Sequence, residues 1–164
     1  MRKKLNMEDA PQKDIRIDRE GIWHYRGAEM HRKDIVQELA RFLQKTENGY
    51  SLEIPGIDYA DIDVEDTPFV VASVDRQTTG EEERIIILLS DGSEEVLNLH
   101  TLAISQENAL YCTIREGKFP CRFLRKSYYQ LTQYLEYDEA ADQYFLRLNG
   151  TRYVIKKINF TTEG

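Results

Sequence analysis

The chain has 164 residues, 41% of them hydrophobic, enough for one respectable core or two small ones and too few for several independent domains. Asp and Glu number 29 against 22 Lys and Arg, a formal net charge of -7, which excludes a general nucleic-acid surface because such a surface needs excess cations to release phosphate counterions. Any anion site must therefore be local, and with no apolar run near the roughly 18 to 20 residues of a membrane span, the expectation is a soluble cytoplasmic protein.

Residues 1–13 read as a flexible N-terminal tail, and the closing Thr-Thr-Glu-Gly is equally polar. Beyond the tail, residues 15–64 and 111–158 carry the marks of an internal repeat. Arg19-Glu20-Gly21 matches Arg115-Glu116-Gly117, and Arg32-Lys33 matches Arg125-Lys126. Tyr50, Leu52, Ile54, Gly56 and Tyr59 then match Tyr144, Leu146, Leu148, Gly150 and Tyr153 at one constant offset. The expected fold is α+β, an internal duplication of a β-β-α-β-β unit with a central β-meander. Its divisions are a first unit over 14–68 and a second part over 69–160 that joins the meander to the second unit.

Each unit opens as a hairpin around Arg-Glu-Gly. A three-residue loop with Gly21 in the left-handed conformation pairs Ile17 with Trp23 and Ile15 with Tyr25, which makes one face apolar and leaves Arg16, Asp18, His24 and Arg26 on the other. The same loop in the second unit sets Tyr111 beside Cys121 and Thr113 beside Phe119, separating the two cysteines; both are expected as free thiols. A helix follows in each unit, with apolar stripes at Ile35, Leu39, Phe42 and Leu43 and at Tyr128, Leu131, Tyr134 and Leu135. Asp34 with Gln37, and Ser127 with Gln130, have the spacing of capping boxes and mark the helix starts. Strands are expected at 50–54, about 60–64, 144–148 and 153–158. Between the copies, 69–75, 85–89 and 94–99 form the meander, the last two joined by the turn signal Asp91-Gly92.

Two cationic pairs, Arg32-Lys33 and Arg125-Lys126, precede helix N-termini, where orphan amides and the helix dipole favour negative charge. Either the side chains simply point to water, or helix end and basic pair together form an anion site. The acidic pair Glu65-Asp66 follows the last strand of the first unit, and Thr67-Pro68 ends the ladder because proline has no amide hydrogen. Neighbours on a strand point to opposite faces, so these carboxylates are poorly placed as a paired acid and base. One is expected to pair with Arg32 and the other to meet solvent or ligand.

These segments resemble a known family. The run from Ile15 to Leu43, followed by Ile62 to Ala72, is similar to the bacterial domain of unknown function 1285 family, with matching positions at Gly21, Trp23, Tyr25, Gly27, Arg32, Val64, Glu65, Asp66, Pro68 and Phe69. It departs from the family where Thr-Pro-x-Glu is usual before the acidic pair, carrying Ile54-Pro55-Gly56-Ile57. The resemblance implies a two-unit duplication with a C-terminal half similar to pleckstrin-homology-like sheets. It also implies a ligand-responsive role in bacterial signalling, with a pocket between the units, and it assigns no activity.

The leading functional expectation is a non-enzymatic binding module that takes a small anionic, nucleotide-like ligand between its two units. Trp23, Tyr25 and Phe69 would supply apolar surface, Arg26, Arg32, Arg125 and Lys126 charge, and Glu65 and Asp66 hydrogen-bond acceptors. The alternative is a protein-interaction adaptor using a sheet edge or the tyrosines Tyr128, Tyr129, Tyr134 and Tyr137 around the C-terminal helix. An enzyme ranks third. His24, His31 and His100 lack metal-ligand spacing, and there is no C-x-x-C, phosphate loop or nucleophile elbow, so no metal or cofactor is expected.

Overall fold

A computed structural model describes residues 13–56 and 59–158. The expected tails at 1–12 and 161–164, and Ile57 in the departing segment, lie outside the described residues. The chain forms two compact units, one of residues 1–69 with 90–92, the other of residues 70–89 with 93–164.

Unit 1 contains the strands β1 (Ile15–Ile17), β2 (Trp23–Tyr25) and β3 (Ala28–Glu29), the helix α1 (Lys33–Ala40), and the strands β4 (Leu43–Thr46), β5 (Gly49–Glu53) and β6 (Tyr59–Val64). They make one sheet in the order β3-β2-β1-β6-β5-β4, with β1 and β6 parallel. The first hairpin has the register its sequence predicts: Ile15 faces Tyr25, Ile17 faces Trp23, and Gly21 takes φ 81°. That register buries Ile17 and Trp23 while Tyr25 stays 45% exposed.

Helix α1 is shorter than its apolar stripe suggests. It ends at Ala40, and Leu43, expected as its last buried residue, is instead the first of β4. Ile35 is 42% exposed, so the buried side runs through Ala40 rather than Ile35. The helix begins at Lys33 with Arg32 as N-cap and no side-chain cap, so the expected Asp34 capping box does not form. Asp34 is engaged by the Arg32 guanidinium instead.

Unit 2 contains β7 (Phe69–Thr79, its first residue belonging to unit 1), β8 (Glu82–Leu89), β9 (Glu94–Val96), a 3-10 turn (Leu99–Thr101), β10 (Ala103–Ser105), β11 (Leu110–Ile114) and β12 (Phe119–Phe123). After these come α2 (Arg125–Thr132), β13 (Leu135–Asp138), β14 (Gln143–Leu148), β15 (Thr151–Val154) and β16 (Lys156–Ile158). A seven-stranded sheet runs β16-β10-β11-β12-β7-β8-β9, so the meander β7-β8-β9 extends the sheet that holds the second hairpin. A separate three-stranded sheet runs β13-β14-β15. The segment expected as one strand over 153–158 is divided between the two sheets around Ile155. More strands follow each helix than the expected two, three in unit 1 and four in unit 2, because the apolar residues after each helix, Leu43 and Leu135, open strands of their own and the segment at 153–158 is divided.

The second hairpin departs from its expected register. Cys112 lies directly opposite Cys121, Thr113 opposite Pro120 and Ile114 opposite Phe119. The turn is tight: the Lys118 amide donates to the Arg115 carbonyl at 3.2 Å, and Arg115, Glu116 and Gly117 take φ of 52°, 58° and 83°. The cysteines therefore share one face, and both are reduced thiols, 1% and 0% exposed.

The start of α2 also differs from expectation. The helix opens at Arg125, and the presumed capping pair bonds β7 instead. The ladder between β7 and β8 slips between Val71 and Ser73, and the Val71 carbonyl bonds the start of α2. That carbonyl accepts from the Leu124 amide at 3.1 Å and from Ser127 Oγ at 2.6 Å, while Gln130 Oε1 accepts from the Val74 amide at 2.8 Å. Ser127 and Gln130 thus bond backbone groups of β7. Of the tyrosines thought to surround this helix, only Tyr128 and Tyr129 lie on it, since α2 ends at Thr132.

Candidate functional site

The nine residues marked by the sequence occupy different environments. In unit 1, Trp23 and Phe69 are 4% and 1% exposed and belong to the core, which removes them as ligand contacts. Tyr25 is exposed, with the Arg26 guanidinium 5.2 Å from its ring centroid and Arg26 Nε 3.4 Å from Asp14. Such a cation over an exposed ring contributes a local contact of about 0.5–1 kcal/mol rather than a binding surface.

Arg32 does not pair with the acidic pair. Its guanidinium grips Asp34 through two hydrogen bonds of 3.0 and 2.7 Å, which holds the Asp34 carboxyl below the usual carboxylate range. Glu65 is taken by Arg16 at 2.5 Å and by Arg19 at 3.3 Å. This follows from topology: β1 lies beside β6 in parallel, so Arg16 and the residue just past β6 sit at neighbouring strand ends. Asp66 follows Glu65 in the bend between β6 and β7. Burial pushes the Tyr50 phenol up, and the nearby charge of Asp66 adds to that shift. Neither carboxylate pairs with Arg32.

In unit 2, Arg125 and Lys126 are exposed at the start of α2. Neither makes an ion pair among the described residues.

One concavity of unit 2 is lined by none of these nine residues. It has a volume of about 470 Å³ and is built where the β7-β8 hairpin, the segment around the 3-10 turn and the β14-β15 turn meet. Ile85, Leu97, Leu99 and Leu148, all buried, form an apolar lining. Arg84, Asn98, His100, Asn149 and Tyr153 supply polar groups. Arg84 is exposed and makes no ion pair among the described residues. The His100 and Tyr153 rings meet edge to face with centroids 5.0 Å apart.

Asn149 fixes one wall. The Asn-Gly pair at 149–150 takes φ of 52° and 77°, the conformation a two-residue hairpin turn demands. Its side-chain Oδ1 accepts from the Glu83 amide and its Nδ2 donates to the Glu83 carbonyl, both at 2.7 Å. A side-chain amide here takes the place of a peptide group in a strand that β9 is too short to provide. Arg76 then braces Glu83 with hydrogen bonds of 3.2 and 2.9 Å and lies 4.9 Å from the Tyr134 ring centroid. These arrangements escape sequence reading because they join segments far apart in the chain.

No group of three or more His, Cys, Asp or Glu able to hold a metal occurs among the described residues. No helix among them is long and apolar enough to cross a membrane.

Residues 3–67 match the family model described as domain of unknown function (DUF1285), N-terminal domain. The fold is similar to the crystal structure of a DUF1285 family protein from Silicibacter pomeroyi DSS-3, with a TM-score of 0.71 and 24% identity over 90% of this chain and 81% of that one. A DUF1285 family protein from Shewanella baltica OS155 superposes with a TM-score of 0.61 and 18% identity over 74% of this chain and 91% of that one. No curated protein matches the sequence. The likeness read from the sequence holds: residues 3–67 match the DUF1285 N-terminal family model, and the chain shares the fold of solved bacterial DUF1285 proteins.

Proposed function

We propose that this protein is a non-enzymatic, ligand-responsive module and that its ligand is a small molecule with a planar ring and an anionic group, such as a nucleotide. The observation that carries the reading is the unit 2 cavity. Its volume falls within the roughly 300–1,000 Å³ typical of small-molecule sites, and it combines an apolar lining with a few polar groups. Arg84 offers a guanidinium to a phosphate or carboxylate, and the His100 and Tyr153 rings, the first exposed and the second half-buried, offer a surface for a planar ring. The likeness to a bacterial family and the recurrence of hairpin, helix and strands are consistent with a duplicated, PH-like scaffold adapted to signalling.

The test is thermal shift with a panel of nucleoside monophosphates, alongside native mass spectrometry of the purified protein. Wild type is expected to gain several degrees of Tm with at least one nucleotide, Arg84→Ala to lose that gain, and Arg32→Ala to keep it. No shift with any nucleotide and no copurifying small molecule would defeat the reading.

A protein-interaction adaptor is the second reading, favoured by one observation. Tyr137 and Tyr144 face each other across β13 and β14 with ring centroids 5.0 Å apart, yet remain 48% and 45% exposed. Exposed tyrosine pairs of this kind suit a protein interface.

A further inference from the structure

The register of the second hairpin places the chain's two cysteines directly opposite one another on adjacent antiparallel strands, near the middle of the seven-stranded sheet. Side chains at opposed positions share a face, with Cβ atoms roughly 4.5–5.5 Å apart. A disulfide needs about 3.5–4.5 Å. The gap is therefore on the order of 1 Å, small enough for the two strands to close with a local adjustment.

Next to the pair, Thr113 and Pro120 face each other without a ladder bond: the Thr113 amide points to the other side of β11 and donates to Thr101 Oγ at 3.1 Å. The turn that closes the hairpin is short, so it holds the two cysteines opposite one another.

We infer that Cys112 and Cys121 form a modification site that closes into an intramolecular disulfide with a low-molecular-weight disulfide such as oxidised glutathione as oxidant. In the first step the thiolate of one cysteine attacks a glutathione sulfur, forming a mixed disulfide and releasing one glutathione thiolate. In the second, the thiolate of the other cysteine attacks the protein sulfur of that mixed disulfide and expels the second glutathione. The protein loses two electrons and two protons, and one glutathione disulfide becomes two glutathione thiols. Both sulfurs lie under the surface, 1% and 0% exposed, so reaction proceeds through opening of the β11-β12 hairpin, and its rate follows that opening. The product is a staple across the centre of the unit 2 sheet.

The experiment incubates the full-length protein with oxidised glutathione at mildly alkaline pH, with and without urea below the unfolding transition. Remaining thiols are then alkylated and the intact mass is measured. The expected result is a loss of about 2 Da with no alkylation, faster in urea, and a Cys112–Cys121 crosslink in the peptide map. Cys112→Ser is expected to stop at a single glutathione adduct on Cys121. Two alkylated thiols under both conditions, a persistent mixed disulfide in wild type, or a disulfide-linked dimer on a non-reducing gel would each overturn the proposal.

Discussion

The two Arg-Glu-Gly hairpins start from the same tripeptide and close in different registers. In the first, the residue before the tripeptide is Asp18. Its Oδ1 accepts from the amides of Glu20 and Ile22 at 2.9 and 3.0 Å, and its Oδ2 from the His24 ring at 2.9 Å. These bonds support a three-residue loop closed by the Asp18 amide on the Ile22 carbonyl. In the second hairpin the equivalent position is Ile114, which is buried and offers no acceptor. The turn tightens there, and the Arg115 amide is instead held by the Glu95 carboxylate at 3.1 and 3.2 Å. The side chain before the turn, rather than the turn tripeptide, sets the register, and that register decides which side chains meet across the strands.

Three substitutions test the comparison, taken from the largest effect to the smallest. Trp23→Ala removes the buried anchor that the first register creates and is expected to cost about 3–5 kcal/mol in urea denaturation. A loss below about 1 kcal/mol would show that the register does not depend on burying this ring.

Asp18→Ala removes the acceptor that distinguishes the hairpins and is expected to cost about 1–3 kcal/mol at pH 7. Burial pushes the Asp18 carboxyl up, but the hydrogen bonds from the His24 ring and from the Ile22 and Glu20 amides outweigh it and hold the group below its ordinary 3.8. A carboxyl lowered in the folded state contributes fully above 3.8, and that contribution disappears as pH falls through the lower folded value. Wild type should therefore approach the variant in stability below that range. A gap that stays constant from pH 7 to pH 2 would contradict the assignment.

Glu116→Gly relieves a left-handed non-glycine residue in the second turn, at φ 58°. It is expected to stabilise the chain by up to about 1 kcal/mol, read as a higher Tm. A lower Tm would indicate that the Glu116 side chain holds the turn in some other way.

The first register was legible because Ile15, Ile17 and Trp23 align on one face only in that pairing. The second was not, because Ile114 and Phe119 can share an apolar face in the tighter turn as well, and face counting cannot weigh a missing Asp18-like acceptor. Helix ends were overread for a related reason: Leu43 and Leu135 continue the helical spacing but are the first residues of strands, where periods of 3.6 and 2 coincide for one step. Strands as short as β3 and β10 carry too few residues to show alternation. For the candidate site, Glu65 and Asp66 lie in a bend between β6 and β7 where strand alternation does not apply, and the partner of Arg32 escaped sequence reading because Asp34 lies only two residues away. The cavity itself depends on the β14-β15 turn reaching β8, a contact that no local pattern announces.

That turn also bears on whether copies of the chain can join through their sheet edges. An unpaired stretch of strand at the end of a sheet is a template onto which another polypeptide can add by backbone hydrogen bonding. At Glu83, both the amide and the carbonyl that would receive an incoming strand are already occupied by the Asn149 side chain. Asn149 thus closes off one place where copies of the chain could assemble edge to edge, and it does so with a single residue.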